Sequence, residues 1–349
     1  MKSEYNKRRT LIILLNWNGS ELTHDCCKSL SSMSDETDYD VLIIDNNSQS
    51  LSYKLLEEKL SKDFKLEIDV RQEEFDELHK EFAIKKIIQF AMSNDRRIFL
   101  ARSMINHGFA RGCNFGAMLA QKMGYSHILL LNNDTVVEPD FLQKLFIYEP
   151  DANLLIPQIR YFEPSAVIWN CGGKVSQFGN RTYFFANENA DDACIPVEPF
   201  AISFATGCCM LLKTSYYISS GMFTEDFFFG EEDIDYALRL QKLKAKVICV
   251  PDSIIYHKVG ASLAGDITKL RRKAHIHYLN RFINMKKHLG LLWCIWLIPA
   301  ILKMAINMKK VYKLPMHHNL LFCLKVIKAS VLKNKVEKLY FEKIMTHGY

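Results

Sequence analysis

The sequence predicts an α/β fold on a mostly parallel sheet with flanking helices, and three observations carry that prediction. Short apolar runs typical of buried strands recur through the first half, at 10–16 (TLIILLN), 40–45 (DVLIID), 98–101 (IFLA), 127–132 (HILLLN) and 154–157 (LLIP). Near-continuous apolar strands belong to parallel sheets covered on both faces. The segments between them have helical periodicity, and such alternation gives parallel pairing through right-handed crossovers. The third observation is bulk: 349 residues, 49% of them hydrophobic, can bury a sizeable core.

Taken in order, the first two runs are strands, and residues 51–97 then interrupt the alternation. There SYKLLEEKL (52–60) and EEFDELHKEFAIKKIIQFAM (73–92) read as charged amphipathic helices, so an inserted helical layer is expected. After the strand at 98–101, a helix is expected over about 112–123, followed by the strands at 127–132 and 154–157. From about 158 to 230 the pattern breaks into short aromatic and glycine-containing pieces, with WNCGGKVSQFGNRTYFF (169–185) reading as a hairpin with loops. KVICVPDSIIYH (246–257) is a last apolar run, after which the chain becomes helical. The expected division is 1–265 as the α/β domain, including the insertion, and 266–349 as a basic helical C-terminal region.

Charge divides the chain in the same place. Residues 269–349 hold 17 Lys and Arg against two acids, a balance of +15, which leaves the first 268 at 28 against 37, or −9. Body and tail therefore meet different partners. The ten cysteines show no CxxC and no zinc spacing, so reduced, mostly buried thiols are expected. The apolar run near the start is too short for a secretory signal and lacks a small-residue cleavage site, which points to the cytosol.

Five stretches carry chemistry-bearing residues. LLLNNDTVVEPDF (129–141) turns from apolar to polar at a strand's carboxyl end, where open α/β sheets place ligands. Asp134 there can hold a divalent ion with help from substrate phosphates, or simply make a polar turn. IIDNNS (43–48) ends in Asp45, placed either to accept from a nucleotide's base or ribose or to form a local turn. In INHGFARGCNFGAML (105–119), Gly108 and Gly112 flank a helix entry that can meet an anion, with Arg111 a phosphate contact or a surface charge. FTEDFFFGEEDIDYALRL (223–240) delivers Glu231, Glu232 and Asp233 to the first turn of a helix. Asp235 and Arg239, four apart, form a supporting ion pair, and Asp233 and Asp235 cannot both face one cleft. Asp233, dried by aromatic neighbours, can act as a general base toward a hydroxyl. His257 ends the last apolar run, either packed there or completing the coordination of a metal on Asp134.

These pieces in this order, LLNWNG, IIDNNS, NHGFARGCN, LLLNNDT, ATGCCMLL, FFFGEEDIDYALRL and VPDSIIYH, closely resemble the family 2 glycosyltransferases, especially the rhamnosyl- and galactofuranosyltransferase branch. The resemblance spans about residues 10–260 apart from 51–97. It implies a GT-A (Rossmann-like) fold, a nucleotide-diphosphate-sugar donor, Mg2+ or Mn2+, and inversion at the anomeric carbon. Residue by residue it makes Asp134 the principal metal ligand and His257 a second, with Asp233 as catalytic base and Glu232 beside it. The implied nucleotide-binding set is Asn16, Asp45, Asn47, Gly108, Arg111, Asn114 and Asn132. Trp169, Gly172, Gly173 and Gly207 would shape the donor and acceptor pockets, Trp169 by stacking on a sugar or by packing in the core. The chain departs from the family in the length of 51–97 and in having Gln49 and Ser50 where an acid is common after DNxS.

The tail contains one very apolar run, 289–306, whose only formal charge is Lys303 and which has Pro299 in its midst. Positive flanks on both sides oppose a fixed spanning topology and favour a helix lying on the inner membrane surface. The lysines are interleaved with aliphatics and no nucleic-acid motif accompanies them, so nucleic acid is not an expected partner. The expected activity is transfer of a sugar, dTDP-rhamnose or UDP-hexose type, to a surface-glycan acceptor, lipid-linked, by a peripheral protein on the inner face of the cell membrane. The competing reading is a degenerate protein that binds glycan or nucleotide without turnover. Self-association is left open.

Overall fold

The computed structural model describes residues 9–34, 37–71, 76–93, 95–259 and 266–349. Fourteen strands are described: β1 (Thr10–Asn16), β2 (Tyr39–Asp45), β3 (Lys65–Arg71), β4 (Ile84–Ala91), β5 (Arg97–Ser103), β6 (His127–Asn132), β7 (Thr135–Val137), β8 (Leu154–Tyr161), β9 (Ile168–Asn170), β10 (Gly173–Val175), β11 (Arg181–Tyr183), β12 (Phe200–Ile202), β13 (Cys209–Lys213) and β14 (Val247–His257). Twelve share one sheet, whose main path runs β12-β14-β8-β13-β6-β1-β2-β5-β4-β3, and β10 and β11 form a separate hairpin. The centre, β5-β2-β1-β6, is parallel throughout. Its strands are the apolar runs of the sequence, and Ile12, Leu14, Val41, Ile43 and Leu129 are fully buried in it. β13 enters antiparallel to both β6 and β8, giving the sheet its mixed character.

The helices are α1 (Ser20–Ser31), α2 (Ser50–Asp63), α3 (Glu77–Glu81), α4 (Phe109–Lys122), α5 (Phe141–Ile147), α6 (Thr214–Ser219), α7 (Glu232–Lys242), α8 (Ile267–Leu289), α9 (Trp293–Lys310), α10 (Met316–Leu332) and α11 (Lys338–His347). Helix α4 begins three residues before the expected start. It also lies very close to β1, because a Cβ on Gly112 would come within 2.8 Å of Leu15 and one on Gly116 within 2.7 Å of Ile13. These glycines, four apart on one helix face, set the helix-to-sheet distance.

The expected helical insertion is corrected. Residues 52–60 are helical within α2, but the stretch from Ile84 is strand β4, antiparallel to both β5 and β3, which extends the sheet's edge. Ile84 and Ile88 lie four apart, a spacing that suits a helix, but a register shift between Ile84 and Lys86 breaks the strand's alternation, and the two are buried in different core clusters. The β-branched isoleucines at 84, 87 and 88 favour the extended form. Residues 73–75 of the expected helix lie outside the described residues.

The C-terminal helices are also more than an appendage. One stripe of α8 faces residues 226–235: Asn280 Nδ2 donates to the Phe229 carbonyl at 2.9 Å, Asn284 Nδ2 to Glu231 Oε1 at 3.2 Å, and His288 Nε2 lies 2.9 Å from Asp235 Oδ1. Lys287 pairs with Asp226 on the same side. Beneath them Phe227, Ile276, Leu279, Ile283, Val336 and Ile344 form a shared core.

Candidate active site

Three parallel strands end side by side. Asn16 of β1 is in register with Asp45 of β2, and Leu15 with Asn132 of β6. Asp45 is fully buried. It accepts from Asn16 Nδ2 at 2.8 Å and from the Ser48 amide at 3.2 Å. Burial pushes its carboxyl up, and the bonds to Ser48 and Asn16 pull it back. Asn16 is spent as fully: its other donation goes to Ser48 Oγ, and its oxygen accepts from Thr23 Oγ1 and the Gly19 amide. Asn133 Nδ2 then donates to Thr23 Oγ1 at 2.7 Å, tying β6 into the same network.

Asn16 and Asp45, both expected at the nucleotide, are buried and brace the strand ends through these bonds. Asn114 is likewise buried, and its amide is divided among the Phe223 carbonyl, Glu225, the Tyr217 hydroxyl and the Phe223 amide. Arg111 lies 3.7 Å from both Glu81 and Glu225, so carboxylates already surround it. Asn47 is exposed in the left-handed region with φ 62°, and Asn132 is half-buried at its strand's end. Gly108 caps α4 with φ 82°, and a Cβ there would sit 2.4 Å from the Phe228 carbonyl. Its own carbonyl accepts from Asn46 Nδ2 at 3.0 Å. Gly108 thus joins the strand-end loops to the loop before α7, a close approach that only glycine permits.

Asp134 and His257 come together, although 123 positions separate them. β7 pairs with the end of β14, matching Thr135 to His257, and Asp134 Oδ1 lies 3.0 Å from His257 Nε2. That oxygen is buried and has no further hydrogen-bond partner. Burial alone would lower the imidazole, but the Cys208 thiol and Asp134 beside it push it up to about 10. A carboxylate oxygen and an imidazole nitrogen about 3 Å apart suit adjacent positions on one divalent ion, each at roughly 2.0–2.2 Å. The donor set therefore fits Mg2+ or Mn2+, with the remaining positions open to phosphate and water. Among the described residues no cluster of three ligating side chains occurs.

The loop before α7 is held in an uncommon conformation. Gly230 and Glu231 both have φ 82°. For a glutamate this is strained, and strain of this kind gathers at functional sites. Glu231 is buried, with Arg281 Nε of α8 2.6 Å from Oε1. Glu232 is also buried, with one carboxylate oxygen lacking a partner, and burial and the charge of Asp233 push it up to about 8. Asp233 is partly buried. Burial raises its carboxyl, while Arg181, Arg281 and the amides of Ile234 and Gly207 draw it back. Asp235 points away to Arg239 at 2.8 Å and to His288, the supporting pair expected from their spacing.

Two successive residues link the pieces: the Gly207 amide reaches Asp233, and the next side chain, Cys208, lies against His257. The short segment leading into β13 therefore runs from the carboxylate of α7 to the Asp134–His257 pair.

With that geometry in hand the chain can be set beside known proteins. Its structure is similar to the crystal structure of GalNAc-T7 with UDP, GalNAc and Mn2+, at 12% identity and a TM-score of 0.56 over 98% of this chain and 57% of that one. The chain has the GT-A fold. It spans little more than half of that protein's length. Similar at lower TM-scores are a mannosyltransferase, PcManGT from Pyrobaculum calidifontis, in complex with GDP-Man and Mn2+ (0.49, 13% identity, 94% of this chain and 86% of that one) and S. aureus TarS 1-349 (0.45, 12%, 92% and 90%). No family model and no curated protein matches the sequence.

Within this GT-A chain the expected pocket residues fall into two kinds. Gly207 is at the centre, beside Asp233. Gly172 and Gly173 instead pack the hairpin: a Cβ on Gly172 would meet Ile202 at 2.5 Å, and one on Gly173 the Thr182 carbonyl at 2.0 Å. Neither has room for a side chain. Trp169 sets its ring edge-on to His257 with centroids 4.5 Å apart, against the core. It fixes the imidazole from the side, so of the two readings weighed for it, packing is the arrangement present.

Sequence reasoning missed Arg181, Arg281 and Asn284. None belongs to a local pattern, and α8 looked like part of a separate tail. Arg281→Met is expected to cost about 3–5 kcal/mol of stability, the usual consequence of stranding one partner of a buried ion pair. Urea unfolding would measure it. A loss below roughly 0.5 kcal/mol, as for an ordinary surface change, would mean that α8 does not hold the loop.

Proposed function

We propose that the chain transfers a sugar from a nucleotide-diphosphate donor to an acceptor hydroxyl with inversion at the anomeric carbon. The observation that carries this reading is the convergence of Asp233 and the Asp134–His257 pair on the adjacent residues Gly207 and Cys208. Asp134 and His257 would hold Mg2+ or Mn2+, which supplies charge to offset that developing on the diphosphate leaving group. Asp233 accepts the proton of the attacking hydroxyl, and its raised carboxyl suits it to that task near neutral pH. Arg181 and Arg281 draw its carboxyl back down against the effect of burial. Glu231, locked to Arg281 and Asn284, sets the angle at which α7 presents Asp233.

The donor is proposed to be of the dTDP-rhamnose or UDP-hexose type and the acceptor a lipid-linked surface glycan. The test is a panel of nucleotide sugars incubated with purified protein and divalent ion, with released nucleoside diphosphate as readout. Release with none of the panel, with or without added acceptor extracts, would count against transfer.

Residues 1–265 are proposed as the catalytic body and 266–349 as its support and membrane contact. The continuous helical segment Ile267–Lys310 contains an 18-residue window of mean hydropathy 2.1, only 11% of it buried. Leu291, Ile295, Ile298, Leu302 and Ile306 are all exposed along it. Their spacing of three or four places them on one helix face, while Trp293, Met304 and Met308 on the other are buried. An exposed apolar stripe with Lys303, Lys309 and Lys310 on the same helix suits a surface of anionic lipid. Ile295→Glu with Ile298→Glu should reduce co-sedimentation with anionic vesicles at least about ten-fold, since each lost isoleucine contact is worth roughly 1.5 kcal/mol or more. Equal sedimentation of variant and parent would remove the stripe from the binding surface.

A further inference from the structure

Between the tip of the β10–β11 hairpin and helices α8 and α9 lies a groove of about 950 Å³. Much of its wall is apolar, with Phe178, Phe282, Leu292, Ile295, Trp296 and Pro299 contributing. Arg181, Arg281 and Lys303 also line it, and none of its lining residues is a carboxylate. Arg181 and Arg281 are the two cations that act on Asp233. Leu292 and Ile295 are exposed, with Ile295 on the apolar stripe of α9. His277 also lies in the wall, near Arg281 and Arg181. Arg281 is committed to Glu231 and the Gly179 carbonyl. Arg181 is exposed beside the Tyr183 and Phe204 rings, and Lys303 makes one long bond, 3.4 Å, to Asn180.

We propose that this groove receives an acceptor of the lipid-phosphate class, its apolar chain lying along α9 and its phosphate drawn by Arg181 and Lys303, so that the sugar hydroxyl it carries is delivered to Asp233. The proposal rests on the transferase reading of Asp233 for the direction of delivery, and on the groove itself for the class of ligand. An apolar trough entered from an exposed apolar helix suits a hydrocarbon chain. Two cations in a lining that holds no carboxylate suit a phosphate, which a guanidinium binds in a forked geometry. The volume lies within the usual range of small-molecule sites.

The test is direct binding of a dye-labelled polyprenyl monophosphate to the full chain in detergent micelles, read by fluorescence anisotropy without any sugar donor. The lipid phosphate is expected to bind at least ten-fold more tightly than the dye-labelled polyprenol. In Arg181→Gln/Lys303→Gln that advantage should vanish while the weak affinity for the alcohol is kept, with thermal melts showing both proteins folded. Inorganic phosphate at matching concentration should not compete. Equal affinity for phosphate and alcohol, an unchanged double variant, or full competition by inorganic phosphate would each overturn the proposal. Binding without any sugar release in the donor assay would keep the groove and sink the transferase reading; release without binding would do the reverse.

Discussion

Asp233→Asn is expected to lower turnover by about 10²–10⁴-fold, the usual contribution of a positioned general base, while donor binding survives. The substitution keeps the shape and removes the proton acceptor. Because Arg181, Arg281 and the Gly207 amide surround the carboxylate, the asparagine oxygen can still meet them and the loop should stay folded. The check is the rate of nucleoside diphosphate release at saturating donor and acceptor, together with nucleotide affinity measured separately. A variant retaining a tenth or more of the parent rate would show that the acceptor proton leaves by another route.

Removal of the divalent ion should have an effect of comparable size. Chelator is expected to abolish release and added Mn2+ or Mg2+ to restore it, whereas Asp134→Ala should lose about 10²–10³-fold without rescue at ordinary ion concentrations, since charge neutralisation at the diphosphate is worth several kcal/mol. His257→Ala should fall between these extremes, because the carboxylate remains. Activity indifferent to chelator would leave the 3.0 Å contact between Asp134 and His257 as a structural ion pair.

Much of this architecture was legible in the sequence, for a simple reason. β1, β2 and β6 are continuous apolar runs because both their faces are covered, and each ends abruptly in polar residues at the sheet's rim. Asp134, Asp233 and His257 stood out because strand ends and helix starts are where a fold exposes chemistry. The edge at β3–β4 was misread because Ile84 and Ile88 stand at a helical spacing, while the register shift after Ile84 hides the strand's alternation. The internal bonding of Asn16 and Asn114 was not legible for a different reason: an amide in a motif looks the same whether it faces a ligand or a neighbouring group of the chain. Arg281 and Arg181 could not be found by pattern at all. They reach Asp233 from segments about fifty residues away on either side, and only the folded chain brings them there.

The grip of α8 on the loop before α7 bears on any attempt to shorten the protein. A chain stopped at residue 265 keeps every ligand and base named for the reaction yet leaves Glu231 as a lone interior anion and uncovers Phe227. Trimming the greasy end to gain solubility would thus dismantle the hinge pin of the chemistry, and a catalytically silent fragment of that kind would say nothing against the enzyme.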